Sequence, residues 1–178
     1  MQTLLLPGKI RPWLMADECG CLNGRLALTA LPRLAAILGC ADGEVAVALS
    51  AGLDAQGTRF IKGHLQTEVE WICQRCLGPL RLLLEVTVSL GLACDEAAVD
   101  QLPDAYEPLL VPEDGSIAVA DLIEDELLLA LPQIPRHDDV RECEVHGYLQ
   151  PAEPVLDLKN RQPFAVLATL LQDSQRSH

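Results

Sequence analysis

Three long runs in the middle of the chain restrict its fold more than any other feature. "EVAVALSAGLD" (44–54), "RFIKGHLQTEVEWIC" (59–73) and "LRLLLEVTVSLGLAC" (80–94) alternate apolar with polar or small residues and are rich in β-branched side chains. A period of two puts every second side chain on one face, the pattern of a strand covered on one side only. Gly57 marks the first turn and Gly78-Pro79 the second. The runs therefore predict an antiparallel meander rather than a βαβ alternation.

The flanking segments predict helices and loops around that meander. In "LTALPRLAAILG" (28–39), Thr29 can cap a short helix, Pro32 suits its first turn and Gly39 its end. Residues 95–116 form an acidic loop with a short extended piece, "YEPLLV". "IAVADLIEDELLLALP" (117–132) is the clearest helix. Leu122, Ile123, Leu127 and Ala130 make its core stripe, Asp121, Glu124 and Asp125 an acidic one, and Pro132 and Pro135 stop it.

The expected fold class is α+β: a curved antiparallel sheet, with enough strand length to curl toward a barrel, and the 117–131 helix packed on it. Residues 1–135 make a single domain in this reading, and 136–160 a polar, partly flexible segment. Residues 161–178 are then a tethered C-terminal amphipathic helix and tail, with Phe164, Leu167 and Leu171 on one apolar face. Apolar residues make up 49% of the chain, enough for a sizeable core, but there are only two each of Trp, Tyr and Phe. The core must be aliphatic.

No apolar run reaches the roughly 20 residues that a bilayer-spanning helix needs, so no membrane association is expected. The N-terminus "MQTLLLPGKIRPW" lacks the basic start and cleavage site of a signal peptide. Seven cysteines without an export signal point to free thiols in a reducing compartment.

Net charge is −13, and its distribution says more than its size. No Lys or Arg occurs between Leu82 and Pro135, which hold twelve acids; the rest of the chain carries fourteen acids and thirteen bases. Binding a phosphate backbone by charge requires the opposite sign. An acid-only segment is either a solvated face or a surface that attracts a basic partner.

"WICQRCLGPL" (71–80) places two cysteines two residues apart. A disulfide oxidoreductase carries such a pair at a helix start, where the dipole lowers a thiol pKa. Here the pair follows a strand, and Gly78-Pro79 comes too soon for a helix. A structural metal needs further donors, and "RHDDVREC" supplies His137 and Cys143, with His146 as an alternative to His137. Cys73, Cys76, His137 and Cys143 would form a closed Cys₃His set for structural zinc. The same cysteines also suit a role as small buried or free thiols, and spacing alone leaves both readings open. Cys19, Cys21, Cys40 and Cys94 have no donor pattern beside them and read as core or surface thiols. A dinucleotide-binding glycine pattern, a phosphate-binding loop and a nucleophile elbow are all missing, so catalysis is not expected.

The ordered set "CQRCLGPL", "LPDAYEPLLV", "IEDELLLALPQIPRHDDVREC" and "QPFAVLATL" resembles the YceD family of large ribosomal RNA subunit accumulation proteins. The resemblance covers about residues 70–171 and is looser over the N-terminal third, where "LPGKIRP" suggests it. It implies a cytoplasmic bacterial factor for accumulation or processing of large-subunit ribosomal RNA, with no established catalytic residues or cofactor. Ala118 departs from the family pattern, which tends to place an acidic helix cap there; this bears on where the helix starts.

Charge and resemblance together imply a non-catalytic factor that holds a basic ribosomal protein or assembly intermediate and meets ribosomal RNA indirectly. Asp121, Glu124, Asp125 and Glu126 are the candidate docking face, with Phe164, Leu167 and Leu171 as a second. The alternative is direct RNA contact through Arg75, Arg81, Arg136 and Arg141 gathered around a zinc clip, although Asp138, Asp139, Glu142 and Glu144 dilute that charge.

Overall fold

The computed structural model describes residues 6–38, 42–113 and 115–148. Gly39, Cys40 and the expected C-terminal helix with Phe164, Leu167 and Leu171 lie outside these residues. The chain starts with β1 (Lys9–Ile10), α1 (Pro12–Asp17), β2 (Cys21–Ala27), a 3₁₀ turn (Leu28–Ala30) and α2 (Pro32–Leu38). The meander follows as β3 (Glu44–Leu53), β4 (Arg59–Ile72) and β5 (Pro79–Ala93). Then come α3 (Glu96–Val99), β6 (Glu107–Leu110), β7 (Ile117–Ala118), α4 (Val119–Ala130) and α5 (Val140–Val145).

The fold is α+β, as the alternating runs predict. Five strands form one sheet in the order β2-β3-β4-β5-β6, and β1 pairs separately with β7. The β2–β3, β3–β4 and β4–β5 pairs are antiparallel, whereas β6 joins β5 in parallel. The sheet stays open instead of closing into a barrel. Closure needs two long, staggered edges that can pair, and the β6 edge offers only four residues.

Alternation decides which face is covered. Val45, Val47, Leu49 and Ala51 of β3 are buried, as are Ile61, Leu65 and Val69 of β4 and Leu84 and Val88 of β5. Ala16 of α1, Leu34 and Leu38 of α2, and Leu122, Ile123 and Leu127 of α4 share this core. The opposite face is polar: Gln66 donates across to Glu85 at 3.0 Å, and Arg81 sits 3.4 Å from Glu70. Gly63 fits a close crossing of β3 and β4. Its φ is +155°, and a Cβ there would run into the carbonyl oxygen of Ala48.

Two helix starts differ from the sequence reading. Thr29 lies inside the 3₁₀ turn, and α2 begins at Pro32. Ala118 is the N-cap of α4 and offers no side-chain cap. The short β1–β7 pair holds the helix start instead. Lys9 pairs with Ala118, and the Val119 N–H donates to the Gly8 carbonyl at 3.2 Å. On α4 the stripe of Leu122, Ile123 and Leu127 is buried, but Ala130, the last residue of the helix, is exposed. No helix among the described residues is long and apolar enough to cross a membrane. The compact unit runs to Tyr148, so His137 and Cys143 belong to it.

Candidate functional site

The β4–β5 ladder continues to the pair Ile72–Pro79, and the Cys-x-x-Cys stretch forms the turn at its tip. The Cys73 N–H donates to the Gly78 carbonyl at 2.9 Å, and the Leu77 N–H to the Cys73 carbonyl at 2.8 Å. Leu77 takes a left-handed φ of 60° to close this turn. Such a conformation costs a residue with a Cβ about 1–2 kcal/mol. Gly78 is required by a close approach: a Cβ there would stand 2.6 Å from the ring of His146.

Segment 135–148 folds over that tip. The Gln74 N–H donates to the Pro135 carbonyl at 2.7 Å. Asp139 caps α5 by accepting from the Arg141 N–H at 2.9 Å. Cys73, Leu80 and Cys143 form a small buried cluster separate from the main core, with Cys76, Leu82 and Tyr148 packed against it. One fully aliphatic buried side chain, Leu80, is little to offset the entropy of ordering this segment.

The four candidate ligands come together here. One donor atom from each of Cys73, Cys76, His137 and Cys143 lies within 4.8 Å of all the others. Cys73 Sγ is 3.8 Å from Cys143 Sγ. His137 Nδ1 is 3.4 Å from Cys143 Sγ and 3.6 Å from Cys76 Sγ. Cys73, Cys143 and His137 are buried, and Cys76 is half-buried. His137 Nε2 lies 2.9 Å from the Pro79 carbonyl, which can only accept. That contact assigns the proton to Nε2 and turns the Nδ1 lone pair toward the sulfurs. His146, the alternative ligand, instead stacks on the His137 ring with centroids 5.9 Å apart.

Electrostatics at the cluster favour thiolate at Cys73. Burial pushes the Cys73 thiol up, but hydrogen bonds from the backbone of Cys76, His137 and Arg75 outweigh it and bring it down to about 5. Cys76 moves up, through burial and the neighbouring sulfurs. The hydrogen bond to Cys143 raises His137 against the opposing effect of burial. Arg75 donates from Nε to Cys143 Sγ at 3.0 Å, and from Nη2 to the carbonyls of His137 at 2.7 Å and Asp139 at 3.2 Å.

The other sequence candidates are dispersed or already engaged. Cys19, Cys21 and Cys94 are exposed and outside the cluster. Arg75 is committed to the clip, and Arg81 lies on the sheet beside Glu68 and Glu70. Arg136 and Arg141 are exposed. On α4, Asp121 and Asp125 are exposed, Asp125 pairing with Arg33 at 2.7 Å, whereas Glu124 is only 2% exposed and faces α2, where it also binds Arg33. Glu126 is 9% exposed.

A groove of about 500 Å³ runs between α4 and β6. Leu109, Leu122, Leu128 and Leu129 form its apolar wall, and Glu107, Asp125 and Glu126 its rim. It adjoins a second hollow that shares Leu109, Leu122 and Asp125 and adds Asp121 and Lys9. Leu129 is 77% exposed, so the groove presents apolar surface to solvent. Burial raises the Glu126 carboxyl, and the nearby charges of Glu107 and Asp125 raise it further.

The model of a family described as large ribosomal RNA subunit accumulation protein YceD matches residues 61–171. The chain belongs to the YceD family. A curated YceD-family relative from Haemophilus influenzae, named large ribosomal RNA subunit accumulation protein YceD, is 35% identical over 174 residues. That alignment covers 97% of this chain and 99% of the relative. No solved structure gives a significant match. The YceD name describes accumulation of an RNA subunit and not an enzymatic reaction.

Both the clip and the groove fall within the YceD-matched residues. Sequence reasoning missed Arg75 as a donor to sulfur, the fit of Gly78 against His146, and the placement of Glu107 across the groove from α4. Leu122, Asp125 and Leu129 follow an i, i+3, i+7 spacing that marks one helix face. Only the position of β6 shows that this face is left partly open.

Proposed function

We propose that this YceD-family chain is a non-catalytic, cytoplasmic factor of ribosome biogenesis. It supports accumulation and processing of large-subunit ribosomal RNA by holding a basic ribosomal protein, alone or within an assembly intermediate. The observation that carries this reading is the groove between α4 and β6, apolar along its wall and acidic along its rim. An apolar anchor flanked by Lys or Arg suits it. The anchor would cover Leu129 and its neighbours, and the cations would meet Glu107 and Asp121, since Asp125 already pairs with Arg33. Glu126 is held among like charges, so a cation placed there relieves repulsion.

Two further points support the reading. The acid-only stretch from Leu82 to Pro135 contains β6 and α4, so the groove sits in the part of the chain least suited to phosphate. If the four donors of the Cys73 cluster held a metal, they would complete a tetrahedron and leave no position for a substrate water. The basic residues around the clip do not form a comparable surface, because Arg75 is spent on sulfur and backbone carbonyls.

Binding of the full chain to purified large-subunit ribosomal proteins, stripped of RNA, tests the proposal. Retention at low salt, lost at high salt and lost in a Glu107→Lys/Asp121→Lys variant of unchanged melting temperature, is the expected result. Retention of protein-free ribosomal RNA, abolished by Arg81→Glu/Arg136→Glu and untouched by the groove variant, would overturn it.

A further inference from the structure

We propose that Cys73, Cys76, Cys143 and the Nδ1 atom of His137 bind one zinc ion in a closed site that fastens residues 136–148 to the tip of the β4–β5 hairpin. This inference is independent of the partner proposed for the groove. The distances carry it. Zinc bound at about 2.3 Å to thiolate and about 2.0–2.1 Å to imidazole separates tetrahedral donors by roughly 3.5–3.8 Å. Three of the six separations here are 3.8, 3.6 and 3.4 Å, and all six lie within 4.8 Å. A disulfide would bring two sulfurs to about 2.05 Å, far closer than the 3.8 Å between Cys73 and Cys143, and all three cysteines are free.

The groups around the four donors suit a metal better than a set of packing thiols. Three thiolates and one neutral imidazole leave a divalent ion with one net negative charge. Arg75 supplies the opposite charge at 3.0 Å from Cys143 Sγ. The backbone N–H groups of Arg75 and Gly78 point at Cys73 and Cys76 sulfurs, each at 3.4 Å. Pro79 fixes the tautomer that leaves Nδ1 free to ligate. Thiols filling an apolar gap would need none of these donors. A tetrahedral S₃N set selects zinc over magnesium or calcium, which take oxygen donors.

The fold also gives the metal a structural role. Residues 136–148 meet the hairpin tip through a cluster whose one buried aliphatic member among the described residues is Leu80, outside the main core. A metal crosslink supplies what that burial lacks. The main core contains no ligand, so the ion holds the segment and not the sheet.

Elemental analysis of the full chain, purified reduced and without added metal, should give close to one zinc per chain. Cobalt exchanged into the protein should produce intense tetrahedral visible bands and thiolate-to-cobalt charge transfer. Cys143→Ser should lose the stoichiometric ion, whereas Cys94→Ser should keep it. Arg75→Met should keep the fold and weaken zinc binding about 10–100-fold, the effect of losing an outer-shell partner. Because Cys143→Ser can also unfold the segment, chelation of the wild-type protein gives a second measure. It should raise amide exchange across 136–148 and leave β3–β5 protected. Failure of reduced, folded protein to bind zinc on titration, or full zinc retention in Cys143→Ser, would overturn the proposal.

Discussion

Arg33 and Glu124, 91 residues apart, are joined twice: the Arg33 backbone N–H donates to one carboxylate oxygen at 2.7 Å, and its Nε donates to the other at 2.6 Å. The Leu34 N–H adds a third bond at 3.1 Å. Helix α2 thus receives its N-terminal cap from a buried side chain of α4, not from its own sequence.

The cap makes stability depend on pH. Burial pushes the Glu124 carboxyl up, but the N–H donors of Leu34 and Arg33 and the Arg33 guanidinium outweigh it, so the folded value lies below the ordinary one. The cap therefore stabilises fully above the unfolded value, and the contribution is lost as pH falls through the lowered folded value. Glu124→Gln should cost about 1–3 kcal/mol near neutrality. Urea midpoints between about pH 3 and 7 should show the gap to wild type closing on the acid side. A gap independent of pH would mean that the carboxylate charge is not what caps α2.

Leu127 has no exposed surface and lies in the main core. Leu127→Ala should lower unfolding free energy by about 2–5 kcal/mol. Chemical denaturation at constant slope measures it, and a change near zero would place the side chain outside the core.

Gly63 is held by shape. Its Cβ would collide with the Ala48 carbonyl of the neighbouring strand, which cannot rotate away as a side chain can. Gly63→Ala should cost at least about 1–3 kcal/mol. Gly8 has open space around its Cβ position, so Gly8→Ala should stay within about 0.5 kcal/mol of wild type. Thermal melts of the two variants make the comparison.

Gly78→Ala should act locally. The new methyl would meet the His146 ring, which packs on His137, so α5 must shift. Amide exchange should rise for residues 140–148 while Ile61, Leu65 and Val69 stay protected in β4. Uniform loss of protection would show that the clip and the main sheet unfold together.

Elements whose periodicity is long and nearly uniform could be read from the residues alone. The runs at 44–54, 59–73 and 80–94 became β3, β4 and β5, because a period of two sustained over most of ten or more residues favours one pairing register that buries the apolar set. The apolar stripe of α4 was legible for the same reason, as was the Cys-x-x-Cys turn. Tertiary structure decided what depends on neighbours distant in the chain. β2 is short and its burial alternates around Asn23 and Gly24, so its pairing with β3 carries little local signal. The starts of α2 and α4 escaped local capping rules because Glu124 and Gly8 supply the partners from elsewhere. Glu124 read as one more acid on a surface stripe, yet the crossing of α2 and α4 buries it. Spacing could nominate His137 and Cys143 as ligands, but only the fold of 135–148 over the hairpin tip puts them within reach of Cys73 and Cys76. Donor geometry is a property of backbone segments brought together, and a one-dimensional pattern does not contain it.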